Sequence, residues 1–130
     1  MMNKEQKKEY INEMVNSLDK SESVLVAHYQ GLTVKQLDEL RSKMREHGII
    51  FKVTKNRITK LALEKTKCKD LTNLFTGPTA VALSNDAIIS AKILTKFSKE
   101  NSNLKILGGM MGKDILDVAG VANVASLPTL

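Results

Sequence analysis

The sequence predicts an α/β (α+β) domain in which about five helices cover one mixed β-sheet of about four strands. Two observations predict this class: segments with helical periodicity alternate with short apolar segments, and no repeat, low-complexity tract or linker interrupts the alternation. A chain of 130 residues can also close one hydrophobic core without a metal ion or a disulfide. We therefore interpret residues 1–130 as one domain, although the pattern does not specify the order of its strands.

The first two elements are a helix at residues 4–19 and a strand at residues 23–29. Along one side of the helix, apolar side chains repeat at about 100° per residue. They are Tyr10, Ile11, Met14, Val15 and Leu18. The segment at residues 23–29 is mostly apolar and rich in residues that favour strands, so it is expected to be a buried strand.

The second helix, predicted at residues 33–47, has the clearest start and end signals. Thr33 and Gln36 form a capping box at its start, and Gly48 can supply a left-handed exit. Its core stripe consists of Leu37, Leu40 and Met44. A strand is expected to follow at residues 49–54.

The remaining elements continue the alternation. A third helix is predicted at residues 56–65, with Asn56 as its N-cap and with Ile58, Leu61 and Ala62 facing inward. After a short turn, the pattern predicts strands at residues 79–83 and 104–110 and helices at residues 86–99 and 118–125.

Basic residues are concentrated in the first half of the chain, which is informative about the partner. The net charge is +6 and the pI is near 9.5. Residues 1–67 hold 14 Lys and Arg against 9 Asp and Glu, whereas residues 68–130 hold 6 against 5. This surplus indicates a polyanionic partner, either a nucleic acid or an acidic surface.

Cysteine content and hydropathy predict the compartment. Cys68 is the only cysteine, so no disulfide framework is expected and a reducing environment is indicated. The first residues lack the apolar segment of a signal peptide, and no stretch approaches the roughly 18 apolar residues of a membrane span. The sequence therefore predicts a cytoplasmic protein.

The first candidate for polyanion binding is the start of the first helix. Lys4, Lys7 and Lys8 continue the apolar stripe toward the amino terminus, while Glu5, Glu9 and Glu13 fall on the opposite side. The first two turns are therefore expected to overhang the domain with their lysines directed at phosphate. A solvated helix start whose lysines only aid solubility is the alternative.

Two further candidates lie at junctions between elements. Lys55, Asn56, Arg57 and Lys60, with the preceding Lys52, stand at a strand-to-helix corner, where free amides and the positive end of the helix dipole favour an anion. The other candidate is the tight turn Gly31-Leu32-Thr33, with Lys35 and Arg41 close in sequence. Alone, such a turn is more often only structural.

The residue types that are scarce constrain the mode of recognition and the chemistry. Aromatic residues are few and scattered, so no platform for stacking single-stranded bases is predicted, and structured RNA read by shape and phosphate is favoured. The segment from Gly108 to Lys113 superficially resembles a P-loop but lacks one spacer residue and the Ser or Thr that binds magnesium. His28, His47 and Cys68 have no metal-ligand spacing. We therefore predict no enzymatic activity, no metal and no cofactor.

Five segments, in order along the chain, closely resemble bacterial large-subunit ribosomal protein ten. They are residues 28–34 (HYQGLTV), 37–41 (LDELR), 51–57 (FKVTKNR), 74–80 (LFTGPTA) and 127–129 (LPT). The resemblance implies a structural protein of the large ribosomal subunit that binds rRNA at the GTPase-associated region, beside a neighbouring stalk-base protein. RNA contacts carry over to the amino-terminal lysines, the turn at residues 31–33 and the corner at residues 55–57, although Arg57 stands where the family often has Thr.

The resemblance further implies a place in the ribosomal stalk. In the family, a long carboxyl-terminal helix carries dimers of the acidic stalk protein, which recruit translational GTPases. The sequence ends at Leu130, so we expect a chain truncated before that helix, with RNA anchoring retained. The resemblance also implies possible translational autoregulation through the messenger leader.

Three other functions remain open at this point. A ribosome-assembly paralogue would occupy the same rRNA site temporarily and would share the fold and charge. A small α/β enzyme would use residues 108–112 for a phosphorylated substrate. A general adaptor for acidic surfaces would be indifferent to RNA structure.

Overall fold

Five antiparallel strands form one sheet in the order β2-β3-β1-β4-β5 within the described part of the chain. The computed structural model describes residues 3–66, 69–112 and 114–128. Its strands are β1 (Ser23–His28), β2 (Ile50–Val53), β3 (Thr79–Ser84), β4 (Lys105–Met111) and β5 (Asp114–Leu116). The helices are α1 (Lys4–Lys20), α2 (Val34–Glu46), α3 (Asn56–Leu63), α4 (Ala87–Glu100) and α5 (Val118–Ala125), with a 3-10 helix at Lys69–Leu74.

The predicted fold class is confirmed, and two details of the sheet differ from expectation. Every strand pairing among the described residues is antiparallel, so the sheet they form is not mixed. The strands β1 and β2, which flank helix α2, do run in the same direction, but β3 lies between them and opposes both. The additional strand, β5, has three residues, which is too short to show an alternation in sequence.

The sheet is buried on both faces, which explains why β1 and β3 are continuously apolar. One face carries Leu25, Ala27 and Ala82 against the helices α2, α4 and α5. The other face carries Val26 and Val81 against α1, α3 and the 3-10 helix. Because successive residues of a strand point to opposite faces, each central strand supplies both cores.

The glycines of β4 allow it to approach β1 closely. A Cβ at Gly109 would collide with the carbonyl oxygen of Val24 and would lie 2.7 Å from Leu25 Cδ2. The pairing of β1 with β4 also shifts register between Val26 and Ala27. Residues 108–111 therefore lie in a strand and not in the strand-to-helix loop that a P-loop requires.

The third helix corrects two predictions. Asn56 is not the N-cap: that position belongs to Lys55, whose side chain makes no capping hydrogen bond, and Asn56 is the first helical residue. Leu61 was expected to face inward but is 52% exposed, whereas Thr59 is fully buried. The inward stripe of α3 is therefore Thr59, Ala62 and Leu63.

Membrane-spanning helices and metal sites were both sought among the described residues. No helix there combines the length and hydrophobicity needed to cross a membrane. No group of three or more His, Cys, Asp or Glu side chains there could hold a metal ion. The predictions for Cys68, Lys113 and Thr129 fall outside the described residues.

Candidate nucleic-acid interface

Four chain segments meet at one end of the sheet. The strands β1 and β2 end there at His28 and Val53, and β3 and β4 begin there at Thr79 and Lys105. The strand registers place these four ends side by side, since His28 pairs with both Thr79 and Lys105, and Val53 pairs with Ala80. We call this the basic end; it comprises residues 28–33, 53–57, 76–79 and 103–105. Two of the three predicted binding segments therefore lie together.

The corner between β2 and α3 is held rigidly against the loop before β3. The Thr54 hydroxyl and backbone N–H both donate to the carbonyl oxygen of Thr79, at 3.0 and 2.9 Å. Asn56 Nδ2 donates to the carbonyl oxygen of Gly77 at 2.6 Å. These bonds fix the backbone on either side of Lys55, while the side chains of Lys55 and Arg57 are exposed.

The start of α3 offers an anion the positive end of a helix. The N-cap residue, Lys55, makes no capping hydrogen bond with its own side chain. Arg57 and Lys60 are three residues apart and are therefore neighbours on the helix surface. Lys52 pairs with Val81 and lies, half-buried, on the same face of the sheet as α3. Several basic residues thus lie near the start of this helix, and its dipole adds to their attraction for an anion.

The first helix is attached to this corner through one side chain. The Tyr10 hydroxyl lies 2.8 Å from Thr59 Oγ1 and accepts a hydrogen bond from the backbone N–H of Lys55 at 3.2 Å. Helix α1 then runs toward the opposite end of the sheet, where β1 begins at Ser23. Its first two turns consequently extend at the basic end.

The predicted amino-terminal lysines are all exposed on those two turns. They are Lys4, Lys7 and Lys8. Lys7 stands one helical turn before Tyr10 and Ile11, both of which pack on the domain, so it continues the packed side of the helix beyond its last contact. The carboxylates Glu5, Glu9 and Glu13 are exposed as well. Among the described residues, no ion pair occupies Lys4, Lys7, Lys8 or Lys55.

The turn at residues 31–33 belongs to the same end of the sheet. Gly31 has φ +92°, a conformation that favours glycine, and Leu32 N–H donates to the carbonyl oxygen of Tyr29 at 3.1 Å. Tyr29 N–H in turn donates to the carbonyl oxygen of Pro78 at 3.1 Å. The loop at residues 76–78 therefore contacts both this turn and the Lys55 corner.

The structure places Lys35 next to the basic end, two residues after Thr33, but places Arg41 away from it. Thr33 caps α2 through the predicted box, in which its hydroxyl accepts from Gln36 N–H at 3.1 Å, and the exposed Lys35 is in the first turn. Arg41 lies six residues beyond Lys35, about 9 Å further along this helix. Helix α2 also packs on the sheet face opposite α3, so Arg41 does not join the Lys55 corner.

Sequence reasoning missed one feature of the basic end, a polar crevice of about 360 Å³. Its lining residues are His28, Gln30, Gly31, Asn103 and Lys105. Asn103 and Lys105 are distant from the others in sequence, and only the pairing of β1 with β4 brings them close. No spacing or composition signal could have indicated this crevice.

The family model and the similar proteins all identify the same ribosomal protein family. A family model described as ribosomal protein L10 matches residues 2–99. The chain is 70% identical over 129 residues to the large ribosomal subunit protein uL10 of Pelagibacter ubique (strain HTCC1062), covering 99% of this chain and 78% of the relative. The uL10 proteins of Rhodospirillum rubrum and Paramagnetospirillum magneticum are 46% and 47% identical, each covering 99% of this chain and 75% of the relative.

Proposed function

Because the chain belongs to the ribosomal protein L10 family, we propose that it anchors to large-subunit rRNA through the basic end and the first two turns of α1. Membership of the family makes it a structural constituent of the large ribosomal subunit and points to a non-enzymatic protein.

The observation that carries the proposal is the attachment of α1 to the Lys55 corner through Tyr10. Without this contact, Lys4, Lys7 and Lys8 would be a separate charged helix end. With it, they and Lys55 form one positive surface on one end of a rigid sheet. A surface of this kind can contact several phosphates of a folded RNA at once, and phosphate contacts dominate affinity for nucleic acid.

The aromatic side chains support recognition of a folded RNA rather than a single strand. Phe51, Phe75 and Phe97 are buried in the two cores, and Tyr10 is engaged in the α1–α3 contact. An extended strand of stacked bases therefore has no row of exposed rings to bind. The lysines of this surface are suited to reading the shape and the phosphate positions of an RNA.

Within the ribosome, we assign the chain to the GTPase-associated region of the rRNA, next to the neighbouring stalk-base protein. It would there form the base of the stalk that recruits translational GTPases. Binding of the acidic stalk protein dimers is assigned to the family's carboxyl-terminal helix and not to residues 3–128. Translational autoregulation through a messenger leader would use the same positive surface.

The proposal is tested by reversing two charges at the basic end. Lys7→Glu combined with Lys55→Glu is expected to weaken binding to an rRNA fragment of the GTPase-associated region about tenfold or more in a filter assay. The matched control is Lys20→Glu with Lys96→Glu, which changes the net charge equally on exposed residues away from the basic end. Circular dichroism of both variants checks that the fold is intact. Equal affinities of the two double variants would reject the proposed surface.

An assembly paralogue is the second candidate, because it would bind the same rRNA with the same surface. The resemblance and the matched relatives favour the stalk-base protein, since the three relatives above carry the name uL10. Presence of the protein in mature, translating subunits, measured by mass spectrometry of purified polysomes, supports the stalk-base protein. Its restriction to precursor subunits would support the paralogue.

A further inference from the structure

The polar crevice at the basic end has walls that are fixed in place. His28 and Lys105 are cross-strand partners, and His28 Nε2 donates a hydrogen bond to the carbonyl oxygen of Thr76. Asn103 Nδ2 donates to the carbonyl oxygen of Gly31 at 3.0 Å, and a Cβ at Gly31 would lie 2.9 Å from Asn103 Cγ. The crevice is therefore a preformed space between the turn after β1 and the start of β4.

Several polar groups that line this space remain available to a ligand. Within the residues described, the Gln30 amide and the Lys105 ammonium group make no hydrogen bond or ion pair. Asn103 uses one N–H on Gly31, which leaves its Oδ1 as an acceptor. No carboxylate lines the crevice. It therefore presents hydrogen-bond donors, an acceptor and one positive charge to a ligand.

We propose that this crevice holds one unstacked nucleotide of the bound RNA, with its base on the Gln30 and Asn103 amides and its phosphate on Lys105. This inference rests on the proposed function. The volume of about 360 Å³ lies at the lower end of the range of small-ligand pockets, roughly 300–1,000 Å³. Side-chain amides carry a donor and an acceptor, which suits the hydrogen-bonding edge of an unpaired base.

The location of the crevice makes this contact compatible with the phosphate surface. The loop at residues 76–78 lies between the crevice and the Lys55 corner. Thr76 binds His28 of the crevice, and Gly77 binds Asn56 of the corner. The crevice and Lys55 therefore lie at the same end of the sheet, where one RNA could contact both. A single cation among amide groups is also better suited to a base with one phosphate than to a phosphate alone, which several cations usually bind.

The experiment combines a change in the protein with changes in the RNA. Wild-type protein and Gln30→Ala are titrated against the rRNA fragment and against versions carrying an abasic site at each unpaired position in turn. The Gln30 side chain is exposed and makes no hydrogen bond to any described residue, so its replacement is expected to leave the fold unchanged. Asn85→Ala, an exposed amide at the opposite end of the sheet, is the matched control.

The expected result is a specific non-additive effect. Gln30→Ala binds the intact fragment about threefold to tenfold more weakly, as for one lost hydrogen bond. One abasic position weakens wild-type binding similarly, and on that fragment the wild type and Gln30→Ala have equal affinity. Asn85→Ala binds every fragment as the wild type does.

Two outcomes overturn the inference, and they differ in what they say about the proposed function. If Gln30→Ala binds every fragment as tightly as the wild type, or is weakened equally on all of them, no base occupies the crevice although the protein still binds the rRNA. If the wild type itself fails to bind the intact fragment, the proposed function fails, and the inference fails with it.

Discussion

The hydroxyl of Tyr10, on the first helix, accepts a hydrogen bond from the backbone N–H of Lys55 at an N···O distance of 3.2 Å. The same hydroxyl lies 2.8 Å from Thr59 Oγ1, so a single oxygen atom contacts both the corner and the helix that follows it. The contact satisfies the N–H of the N-cap residue of α3 and fixes where the amino-terminal lysines stand relative to Lys55. Four predictions follow from this arrangement and from the packing of the sheet around it.

Tyr10→Phe is expected to reduce both stability and RNA affinity. The ring is retained, so the loss is that of the hydroxyl and its hydrogen bonds, about 1 kcal/mol in the free energy of unfolding measured by urea denaturation. Affinity for the rRNA fragment should fall severalfold, because α1 is less firmly held at the corner. Tyr29→Phe is the control for stability, since no hydrogen bond of the Tyr29 hydroxyl is present in the described structure. Equal stability of the two variants would contradict the role of Tyr10.

Neutralising lysines at the basic end is expected to change how RNA binding depends on salt. Each phosphate contact contributes roughly 0.7 to 0.9 to the slope of log K against log salt concentration, because counterions are released on binding. Lys7→Gln with Lys55→Gln should therefore reduce this slope by nearly two such contributions. The slope is measured by titrations at several potassium chloride concentrations. An unchanged slope with weaker binding would show that these lysines act on the fold and not on phosphate.

Asn56→Asp is expected to loosen the corner beside Lys55. Aspartate has the same shape but cannot donate the 2.6 Å hydrogen bond that Asn56 Nδ2 gives to the Gly77 carbonyl oxygen, and two oxygen atoms would then face each other. The free energy of unfolding should fall by about 1–3 kcal/mol in chemical denaturation. Asn12→Asp, on an exposed position of α1, is the control and should change stability little. Similar effects of both changes would mean that the Gly77 contact is not important.

Gly109→Ala is expected to destabilise the sheet strongly. The added Cβ would meet the backbone of β1 at Val24 and Leu25, which can move only by separating β1 from β4. We expect a loss of about 3 kcal/mol or more in the free energy of unfolding, by thermal or urea denaturation. Gly112→Asn is the control, because a Cβ at Gly112 meets nothing within 4 Å and Asn tolerates its φ of +62°. A stable Gly109→Ala variant would show that the two strands are less tightly packed than described.

Two predictions based on neighbouring residues were accurate. The capping box of Thr33 and Gln36 forms as expected, and α5 has the predicted bounds, Val118–Ala125. Both depend on contacts within one turn of helix, which the local sequence specifies completely. Asn56 was assigned wrongly because its residue type favours an N-cap, whereas its side chain bonds to Gly77, 21 residues away.

By itself, the sequence determined the fold class, most of the elements and the segments that carry the positive charge. Only the tertiary structure decided that β3 lies between β1 and β2, that Tyr10 attaches α1 to the Lys55 corner, and that Arg41 remains apart from it. The reason is the distance along the chain over which each kind of interaction acts. Helix signals act over three or four residues, whereas the order of strands and the contacts between distant side chains depend on how two apolar faces are buried together.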